Sequence, residues 1–366
     1  MTKLLAFFSS LKLTVVCLSL LMILVFVGTL DQVNLGIYYT VKKYFTSFFV
    51  WNFFPGGMLI GFVLFINLIV AHIYRFQFTI KKIGIWITHF GLLLLIFGSA
   101  ITSYFGVESQ LQLDEGQSKN YSEDFIHQEL YIVESINSEE DRVLSLSAAD
   151  LPIDTSINLD GLPFSFLVRE CHLSSRIQLT SSSDFNYRHG IGKQLNVIPS
   201  SIDRRPDALN YVTAEIEFMT ANQSMGVYLL SSFIDRPQKL MVGDRLFWVG
   251  IRPKRLYTPY SITLTSFTRE TYPGTTIPSR FSSDIVLTDF KTSKSQPHHI
   301  YMNHPLRYNG TTYFQASFGK DDRMSVLQVV KNPGWMIPYI SCLLMALGLC
   351  VHFGISLFRF LRKSYV

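Results

Sequence analysis

The sequence predicts a membrane α-helical protein with four transmembrane helices and a large extracytoplasmic all-β domain of sandwich or barrel-like form. Two observations support this fold class. Four apolar runs are long enough to cross a bilayer, and the long stretch between the third and fourth runs alternates apolar with polar residues. The composition agrees, because 48% hydrophobic residues and a positive mean hydropathy place the chain between a soluble enzyme and a pure transporter.

Each apolar run approaches or exceeds the ~20 residues that a helix needs to cross a hydrocarbon core about 30 Å thick. A helix is expected in every run, because lipid offers the backbone no hydrogen-bond partner and a helix satisfies its amides internally. The first run is interpreted as an uncleaved span, because its apolar core is long and no A-x-A site follows it. The runs are residues 11–30, 58–73, 83–103 and 335–358.

Basic residues indicate how these spans are oriented. Residues 105–334 contain 22 Lys and Arg against 26 Asp and Glu, whereas the rest of the chain contains 10 against 1. Because lysine and arginine in short loops stay on the cytoplasmic side, both termini are expected in the cytoplasm and residues 105–334 outside it. The basic charge is therefore a sign of topology and does not indicate nucleic-acid binding.

The predicted organisation has three parts. A three-span membrane region covers residues 1–104, the extracytoplasmic β-domain covers 105–334, and a fourth span with a short basic cytoplasmic tail covers 335–366. The expected location is the cytoplasmic (inner or plasma) membrane as a multi-pass protein, or the thylakoid membrane if the source is photosynthetic.

The first connection is an exception to the charge rule, because it contains Lys42 and Lys43. Its sequence IYYTVKKYFTSFFVWNFF is amphipathic and rich in aromatic residues, which suits a membrane interface. Residues 31–55 are therefore predicted to contain an interfacial aromatic helix on the outer membrane surface.

Period-two alternation dominates residues 105–334, with many β-branched and aromatic residues. Asn-Gly, Pro-Gly and Asp-Gly turns separate the predicted strands, and no convincing amphipathic helix lies between them, which favours an antiparallel sandwich or barrel. The sequence has no G-x-S-x-G, H-E-x-x-H, P-loop or dinucleotide fingerprint. No catalytic residues are predicted, and the chain is not expected to form a complete active site alone.

Histidines and cysteines of the outer domain give weak signals. His298, His299 and His304 are spaced closely enough to suggest a metal site, but adjacent histidines on a strand face opposite ways, and a solvated loop is the other interpretation. His172 and His189 are isolated and are interpreted as surface or hydrogen-bonded core residues. Three of the four cysteines lie in apolar runs, so a disulfide framework and a thioredoxin-like dithiol are not predicted.

Charge is distributed unevenly within the outer domain. Residues 105–170 contain 14 acids against 3 bases, and residues 171–334 contain 12 acids against 19 bases. The two parts are expected to neutralise each other in one sandwich, or else to present a docking surface for an anionic partner or for ligand carboxylates.

Four segments of the chain resemble the sequences of one protein family. They are FFSSLKLTVVCLSLLMILVFVGTL at the start, PGTTIPSRFSSDIVLTDF and MNHPLRYNGTTYFQASF in the outer domain, and NPGWMIPYISCLLMALGLCVHF before the last span. On these segments the chain resembles the ResB (CcsB) membrane proteins of the System II cytochrome c biogenesis pathway. The resemblance covers nearly the whole chain in order. Residues 303–317 are its most specific part, and residues 170–255 match nothing in detail.

The resemblance implies a haem-handling function. Proteins of this family act with a CcsA (ResC) type partner that has a tryptophan-rich haem-binding segment, and together they move haem outward and attach it to Cys-x-x-Cys-His motifs of apocytochrome c. This chain has four tryptophans and no tryptophan-rich segment, so the resemblance implies at most half of a haem lyase (cytochrome c synthase). Haem b is the implied transient cofactor, and a thioredoxin-like reductant is a further candidate partner.

Two functions of other classes remain as alternatives. The chain could be an envelope structural or sensory membrane protein whose β-domain binds another protein, or a subunit that transports a substrate other than haem. The second alternative is disfavoured by the lack of paired charges within the spans.

Three histidines lie in or beside the apolar runs. The family's membrane histidine, an axial haem ligand, corresponds to His89, and His352 is the second choice. From the residues alone, His89 lies ~9 Å below the start of its helix, where it either hydrogen-bonds another helix or has a functional role. By helix angle it faces away from the small residues of its span, towards a partner subunit. His72 is expected to reach interfacial water.

Small residues predict how the spans pack, because they let helices approach closely in lipid. The third span has such a stripe, and a second stripe recurs every four residues in the fourth span. Both are predicted to pack against spans of this chain. The stripes are Gly84, Thr88, Gly91, Gly98 and Thr102, and Cys342, Ala346, Cys350 and Gly354.

Overall fold

The computed structural model describes residues 2–74, 79–137, 140–180, 185–205, 210–220, 223–319 and 323–364. The chain divides into two compact units. The first contains Met1–Val107, Arg204–Asp207 and Lys331–Val366, and the second contains Glu108–Asp203 and Ala208–Val330.

Helices make up most of the first unit. Within the described residues, four helices are long and apolar enough to cross a membrane, which confirms the four predicted spans. They form because each run is predominantly apolar over a nearly bilayer-long stretch, where a helix satisfies the backbone amides internally. The helices are α1 (Thr2–Phe8), α2 (Leu11–Thr40), α3 (Gly57–Tyr74), α4 (Ile83–Phe105) and α5 (Ile337–Ser364), of which α1 is too short to cross.

A buried asparagine connects the first three helices. The Asn67 side chain of α3 is 4% exposed and accepts a 2.7 Å hydrogen bond from the hydroxyl of Thr14 on α2. Its amide donates to the backbone carbonyls of Phe8 and Ser10, where the chain passes from α1 to α2. The Ser10 carbonyl also accepts a hydrogen bond from the backbone nitrogen of Thr14, so the Asn67 amide adds to the bonds at the start of α2.

The segment 31–55 differs from the single interfacial helix that the sequence predicts. Helix α2 continues through it to Thr40, although Gly36 adopts a left-handed conformation with φ 68° and ψ 171° that interrupts the helix geometry. A π-turn over Val41–Phe45 follows, and then a short hairpin of β1 (Phe49–Val50) and β2 (Phe54–Pro55). Gly36 can adopt this conformation because it has no Cβ, and amphipathicity alone does not reveal such a break.

The glycines of α4 pack directly against α5. A Cβ atom added to Gly84 would lie 2.5 Å from the backbone nitrogen of His352, and one added to Gly348 would lie 2.5 Å from the backbone nitrogen of Thr88. Gly91 meets Ser341 and its neighbours in the same way, with a backbone oxygen 2.9 Å from its added Cβ. The predicted packing of the third-span stripe is therefore confirmed.

The stripe predicted for the fourth span is wrong. Cys342, Ala346, Cys350 and Gly354 are exposed, and nothing lies within 4 Å of a Cβ added to Gly354. The face of α5 that meets α4 instead contains Ser341, Met345, Gly348 and His352. This face contains only two small residues, Ser341 and Gly348, which lie seven residues apart, and the contact with α4 determines which face of α5 is used.

Strands make up the second unit, in two sheets. Among the described residues the larger sheet has ten strands: β3 (Val107–Asp114), β4 (Ser118–Ser135), β5 (Asp141–Ser147), β12 (Gln238–Val242), β13 (Arg245–Thr271), β14 (Pro278–Asp289), β15 (Ser295–Tyr301), β16 (Leu306–Tyr308), β17 (Thr311–Phe318) and β18 (Met324–Lys331). The smaller sheet has six within the same ranges: β6 (Ser156–Asn158), β7 (Ser165–Leu179), β8 (Arg188–His189), β9 (Leu195–Pro199), β10 (Tyr211–Thr220) and β11 (Gln223–Ser231).

The larger sheet is nearly closed into a barrel. Its strand order is β15-β14-β13-β4-β3-β18-β17-β16, with β5 paired to β4 and β12 paired to β13. Strand β15 at one end of this order lies near β16 and β17 at the other, and an isolated bridge joins Tyr301 to His304. The smaller sheet has the order β6-β7-β10-β11-β8, with β9 paired to β7.

Two hydrophobic cores show that the sandwich and the barrel are both present. One core lies between the smaller sheet and strands β4, β12 and β13, and includes the fully buried Phe166, Phe218 and Phe247. The other fills the nearly closed sheet, with Leu113 and Leu327 at its centre. Each buried side chain of this size contributes about 1.5–3 kcal/mol by leaving water.

Strand β13 contributes to both cores because the alternation of buried and exposed side chains along it changes phase. Its register against β4 shifts between Pro253 and Lys254 and again between Tyr257 and Ile262. A shift of one residue turns every later side chain to the opposite face of a strand. The buried residues are therefore odd-numbered before these shifts and even-numbered directly after them, namely Phe247, Val249 and Ile251, then Tyr260, Ile262 and Leu264.

Candidate functional site

Two of the membrane histidines are in direct contact. The ring centroids of His72 on α3 and His89 on α4 lie 4.9 Å apart with their planes at 78°, an edge-to-face arrangement. The ring of Trp86 lies 4.7 Å from that of His72, also edge to face. Helix α3 ends at Tyr74 and α4 begins at Ile83, and this short connection makes the two helices neighbours. We refer to His72, Trp86 and His89 as the imidazole cluster.

The nitrogen atoms of the two histidines differ in their partners. Nδ1 of His72 lies 2.7 Å from the carbonyl oxygen of Leu68. A carbonyl only accepts hydrogen bonds, so Nδ1 donates, and the neutral His72 ring keeps its lone pair on Nε2. Nδ1 of His89 is buried, and within the described part of the chain it has no hydrogen-bond partner. A buried polar atom without a protein partner calls for an explanation, such as a bound ligand, an ion or a water.

His352 lies on the face of α5 that meets the beginning of α4. Its backbone nitrogen is the atom closest to a Cβ added to Gly84, and its ring lies 5.6 Å from that of Phe353. Nδ1 of His352 is also buried without a hydrogen-bond partner in the described ranges. The structure shows His72, and not His352, in ring contact with His89.

The three closely spaced histidines of the outer domain do not converge. Nδ1 of His299 lies 2.7 Å from the Asp284 carboxylate, and the pKa of that carboxyl is lowered by this bond first and by the Ser266 hydroxyl second. The ring of His304 stacks on Tyr301 with centroids 4.4 Å apart. No group of three or more metal-binding side chains suited to an ion is found among the described residues.

His172, His189 and Cys171 of the outer domain each contact neighbouring residues of the same domain. The ring of His189 stacks on Tyr228 at 5.7 Å, and His172 lies 3.4 Å from the Glu170 carboxylate. Burial raises the pKa of the Cys171 thiol, whose Sγ lies 3.6 Å from the carbonyl oxygen of Ala148. A thiol in this state is a poor nucleophile.

Ion pairs between adjacent strands neutralise much of the uneven charge. Strand β4 belongs to the acidic part of the outer domain and β13 to the basic part, and the two strands pair side by side. This arrangement supports the neutralising interpretation, because the guanidinium groups concerned already have carboxylate partners. The pairs are Arg245 with Glu134 at 2.6 Å, Arg252 with Glu129 at 2.9 Å, and Arg255 with Glu123 at 3.0 Å.

The segment 303–317 forms a tight hairpin. Asn309 and Gly310 have φ values of 47° and 75°, and they join β16 to β17 as a two-residue turn. Both positions need the left-handed region, which Asn and Gly adopt most readily. The Asn-Gly pair thus fixes the register of this hairpin.

Buried tyrosines hold the same hairpin in the barrel. The hydroxyl oxygens of Tyr313 and Tyr260 lie 2.8 Å apart in the interior, and burial raises the pKa of Tyr313 well above its usual range. The hydroxyl of Tyr308 donates a 2.8 Å hydrogen bond to the Asp289 carboxylate. These residues have a structural role in closing the sheet.

The contact between His72 and His89 is not predicted from the sequence. His72 was expected in interfacial water and His89 was expected to face another subunit, whereas the ring of His72 lies against His89 within this chain. One signal was available. Both residues lie close to the same short connection, and neighbouring antiparallel helices bring such residues to the same end.

Comparisons with known proteins agree with the resemblance. A family model described as the ResB-like family matches residues 241–326, which extend from the end of β12 into β18 and exclude the imidazole cluster. The protein NrfI of Wolinella succinogenes is 22% identical over 292 residues, which is 78% of this chain and 29% of that relative. The chain therefore spans less than a third of the length of this curated relative. The chain is therefore similar to the ResB-like family over residues 241–326 and to NrfI over most of its own length.

Proposed function

We propose that this chain is a cytochrome c biogenesis protein, the ResB-type subunit of a System II haem transport and haem lyase complex. Similarity to the ResB-like family and to NrfI supports the pathway in general. The observation that most supports a role in haem handling is the His89 imidazole, half-buried in an apolar helix and with an unpaired buried nitrogen. Haem b is the substrate that the complex moves and joins to Cys-x-x-Cys-His of apocytochrome c.

The residues of the imidazole cluster fit one side of a haem iron site. Imidazole nitrogen is a common axial ligand of haem iron, and intramembrane ionisable groups are costly unless they have a function. The alternative for His89 is a hydrogen bond to another helix, and its Nδ1 makes none among the described residues. In the proposed role His89 holds the iron, while the glycine contacts between α4 and α5 keep its helix in place.

A CcsA (ResC) type partner completes the proposed complex. It supplies the second axial ligand and the tryptophan-rich segment, since the four tryptophans of this chain are scattered along it. Cys171 is held as a thiol by burial, so a separate thioredoxin-like protein is proposed to keep the apocytochrome cysteines reduced. In this arrangement both termini lie in the cytoplasm and the β-domain lies outside.

The test is the haem content of the complex, purified after co-expression with a CcsA-type protein. His89→Ala is expected to leave the complex assembled, to lower the haem absorption by about tenfold or more, and to abolish cytochrome c maturation. Exogenous imidazole should restore part of the absorption. His352→Ala, a second histidine with an unpaired buried nitrogen, serves as the matched variant and should retain haem.

Two results would contradict the proposal. One is wild-type haem content and normal cytochrome c in His89→Ala. The other is normal staining for c-type cytochromes after deletion of the gene, which would favour the envelope structural or sensory alternative.

A further inference from the structure

We propose that His72 is a positioning residue for His89. Its ring, itself fixed by Leu68 and Trp86, sets the direction in which the His89 imidazole presents its iron-binding nitrogen. The inference rests on the proposed haem function and adds a residue from the second span to it.

The His72 ring has a defined orientation. Its Nδ1 donates to the Leu68 carbonyl at 2.7 Å, and Trp86 packs edge to face against it at 4.7 Å. Rotation of the ring would break the hydrogen bond and change the edge-to-face contact with Trp86. A side chain tied in this way can serve as a fixed surface for its neighbour.

Hydrogen bonding alone does not fix the orientation of His89. A metal-binding histidine normally donates its other ring nitrogen to a carboxylate, a carbonyl or a water, and this bond sets the ring direction. Nδ1 of His89 makes no hydrogen bond of normal geometry in the described part of the chain, although the Ile85 carbonyl one turn earlier lies near the ring. The His72 ring lies at 4.9 Å and 78° from the His89 ring, so a packing contact adds to this orientation.

The packing of α4 against α5 also restricts the direction of the His89 ring. The contacts of Gly84 and Gly91 with α5 bring the two helices close together, because added Cβ atoms there would lie 2.5 and 2.9 Å from backbone atoms, and this close packing restricts rotation of α4. The ring of His89 can then change direction only by moving its own side chain, and His72 stands against it. The site is thus already arranged within this chain.

The test compares His72→Ala with His72→Phe in the complex co-purified with a CcsA-type partner. Haem is titrated into each sample and followed by visible absorption. Loss of the ring in His72→Ala is expected to lower haem affinity by about 10- to 100-fold and to shift the Soret band. His72→Phe keeps an aromatic edge against His89 and should recover most of the affinity and the wild-type spectrum.

Two results would overturn the inference. Wild-type affinity and spectrum in His72→Ala would show that His89 needs no positioning. Equal losses in His72→Phe and His72→Ala, with equal amounts of assembled complex, would mean that the His72 nitrogen itself binds iron. The same titration of His89→Ala separates the two proposals. If that variant binds haem as wild type does, the proposed function fails as well; if it loses haem while His72→Ala does not, only the positioning role fails.

Discussion

At the scale of single residues, the hydrogen bonds of Glu217 make the stability of the outer domain depend on pH. Its carboxylate accepts a 2.6 Å bond from the Ser224 hydroxyl and a 2.8 Å bond from the Arg169 guanidinium. These bonds, the serine bond first, lower the pKa of Glu217 below its ordinary value of about 4.3. A carboxyl group whose folded pKa is lowered stabilises the fold above its unfolded pKa, and this contribution is lost as pH falls through the folded pKa.

Replacement of this carboxylate should therefore have a pH-dependent effect. Glu217→Gln is expected to unfold at a lower temperature than wild type near pH 7, and the difference should shrink as the pH falls below about 4. Thermal unfolding of the full chain in detergent, followed by the strand signal in circular dichroism, measures it. Asp150→Asn alters an exposed carboxylate and is the control. A difference that stays constant between pH 7 and pH 3 would contradict the assignment.

The ion pair of Arg188 and Glu215 is buried deeply enough to affect the stability of the fold. Arg188 is 4% exposed, pairs with the Glu215 carboxylate, and donates a 2.7 Å bond to the carbonyl oxygen of Leu195. Removing one partner of a buried pair leaves an uncompensated charge, which costs about 3–5 kcal/mol. Replacing both partners removes the unpaired charge.

Arg188→Met alone is thus expected to lower the free energy of unfolding by about 3–5 kcal/mol. The double variant Arg188→Met with Glu215→Leu should recover much of this loss, because neither charge is then left without a partner. Denaturant unfolding of the two variants and the wild type gives the comparison. A double variant less stable than Arg188→Met would show that the pair stabilises the sheet beyond neutralising itself.

At the scale of elements, the close approach of α4 and α5 depends on positions without a Cβ. An alanine at Gly84 would place a carbon 2.5 Å from backbone nitrogen, so one helix would have to move. Gly61 on α3 is a contrast, because nothing lies within 4 Å of its added Cβ. The two glycines are matched in residue type and in helical setting.

Gly84→Ala is expected to destabilise the membrane unit by about 1–3 kcal/mol through overpacking, whereas Gly61→Ala should be neutral. The amount of folded protein extracted from membranes and its thermal aggregation in detergent report the difference. Ala346→Leu is a second control, because Ala346 lies on the exposed face of α5. Equal behaviour of Gly84→Ala and Gly61→Ala would mean that α4 and α5 do not pack through these glycines.

At the scale of the whole molecule, the charge distribution predicts that the outer domain and the C-terminal end of the chain lie on opposite sides of a membrane. The first unit contains the basic connections, and the second is close to neutral with a small acidic excess. A reporter placed in the turn at Gly116, which has open space around it, should report the outer side. The same reporter placed after residue 364 should report the cytoplasm. Matching signals from the two positions would show that a span has been miscounted.

Much of this fold follows from local sequence patterns. Apolar runs of bilayer length predicted the four helices, period two predicted the strands, and Asn309 with Gly310 predicted a hairpin turn. Each of these signals depends on neighbouring residues only. His89 was likewise identified from its place in an apolar run and from the family resemblance, and its role as a ligand remains a prediction.

Only the tertiary structure decided which surfaces meet. It put His72 against His89, selected the face of α5 that meets α4, and let β13 serve a sandwich core and a barrel core in turn. These features depend on the rotation of one helix against another and on the register of strands distant in sequence. A stripe or an alternation specifies that a face is suited to burial, whereas the partner that covers it is fixed by the packing of the whole chain.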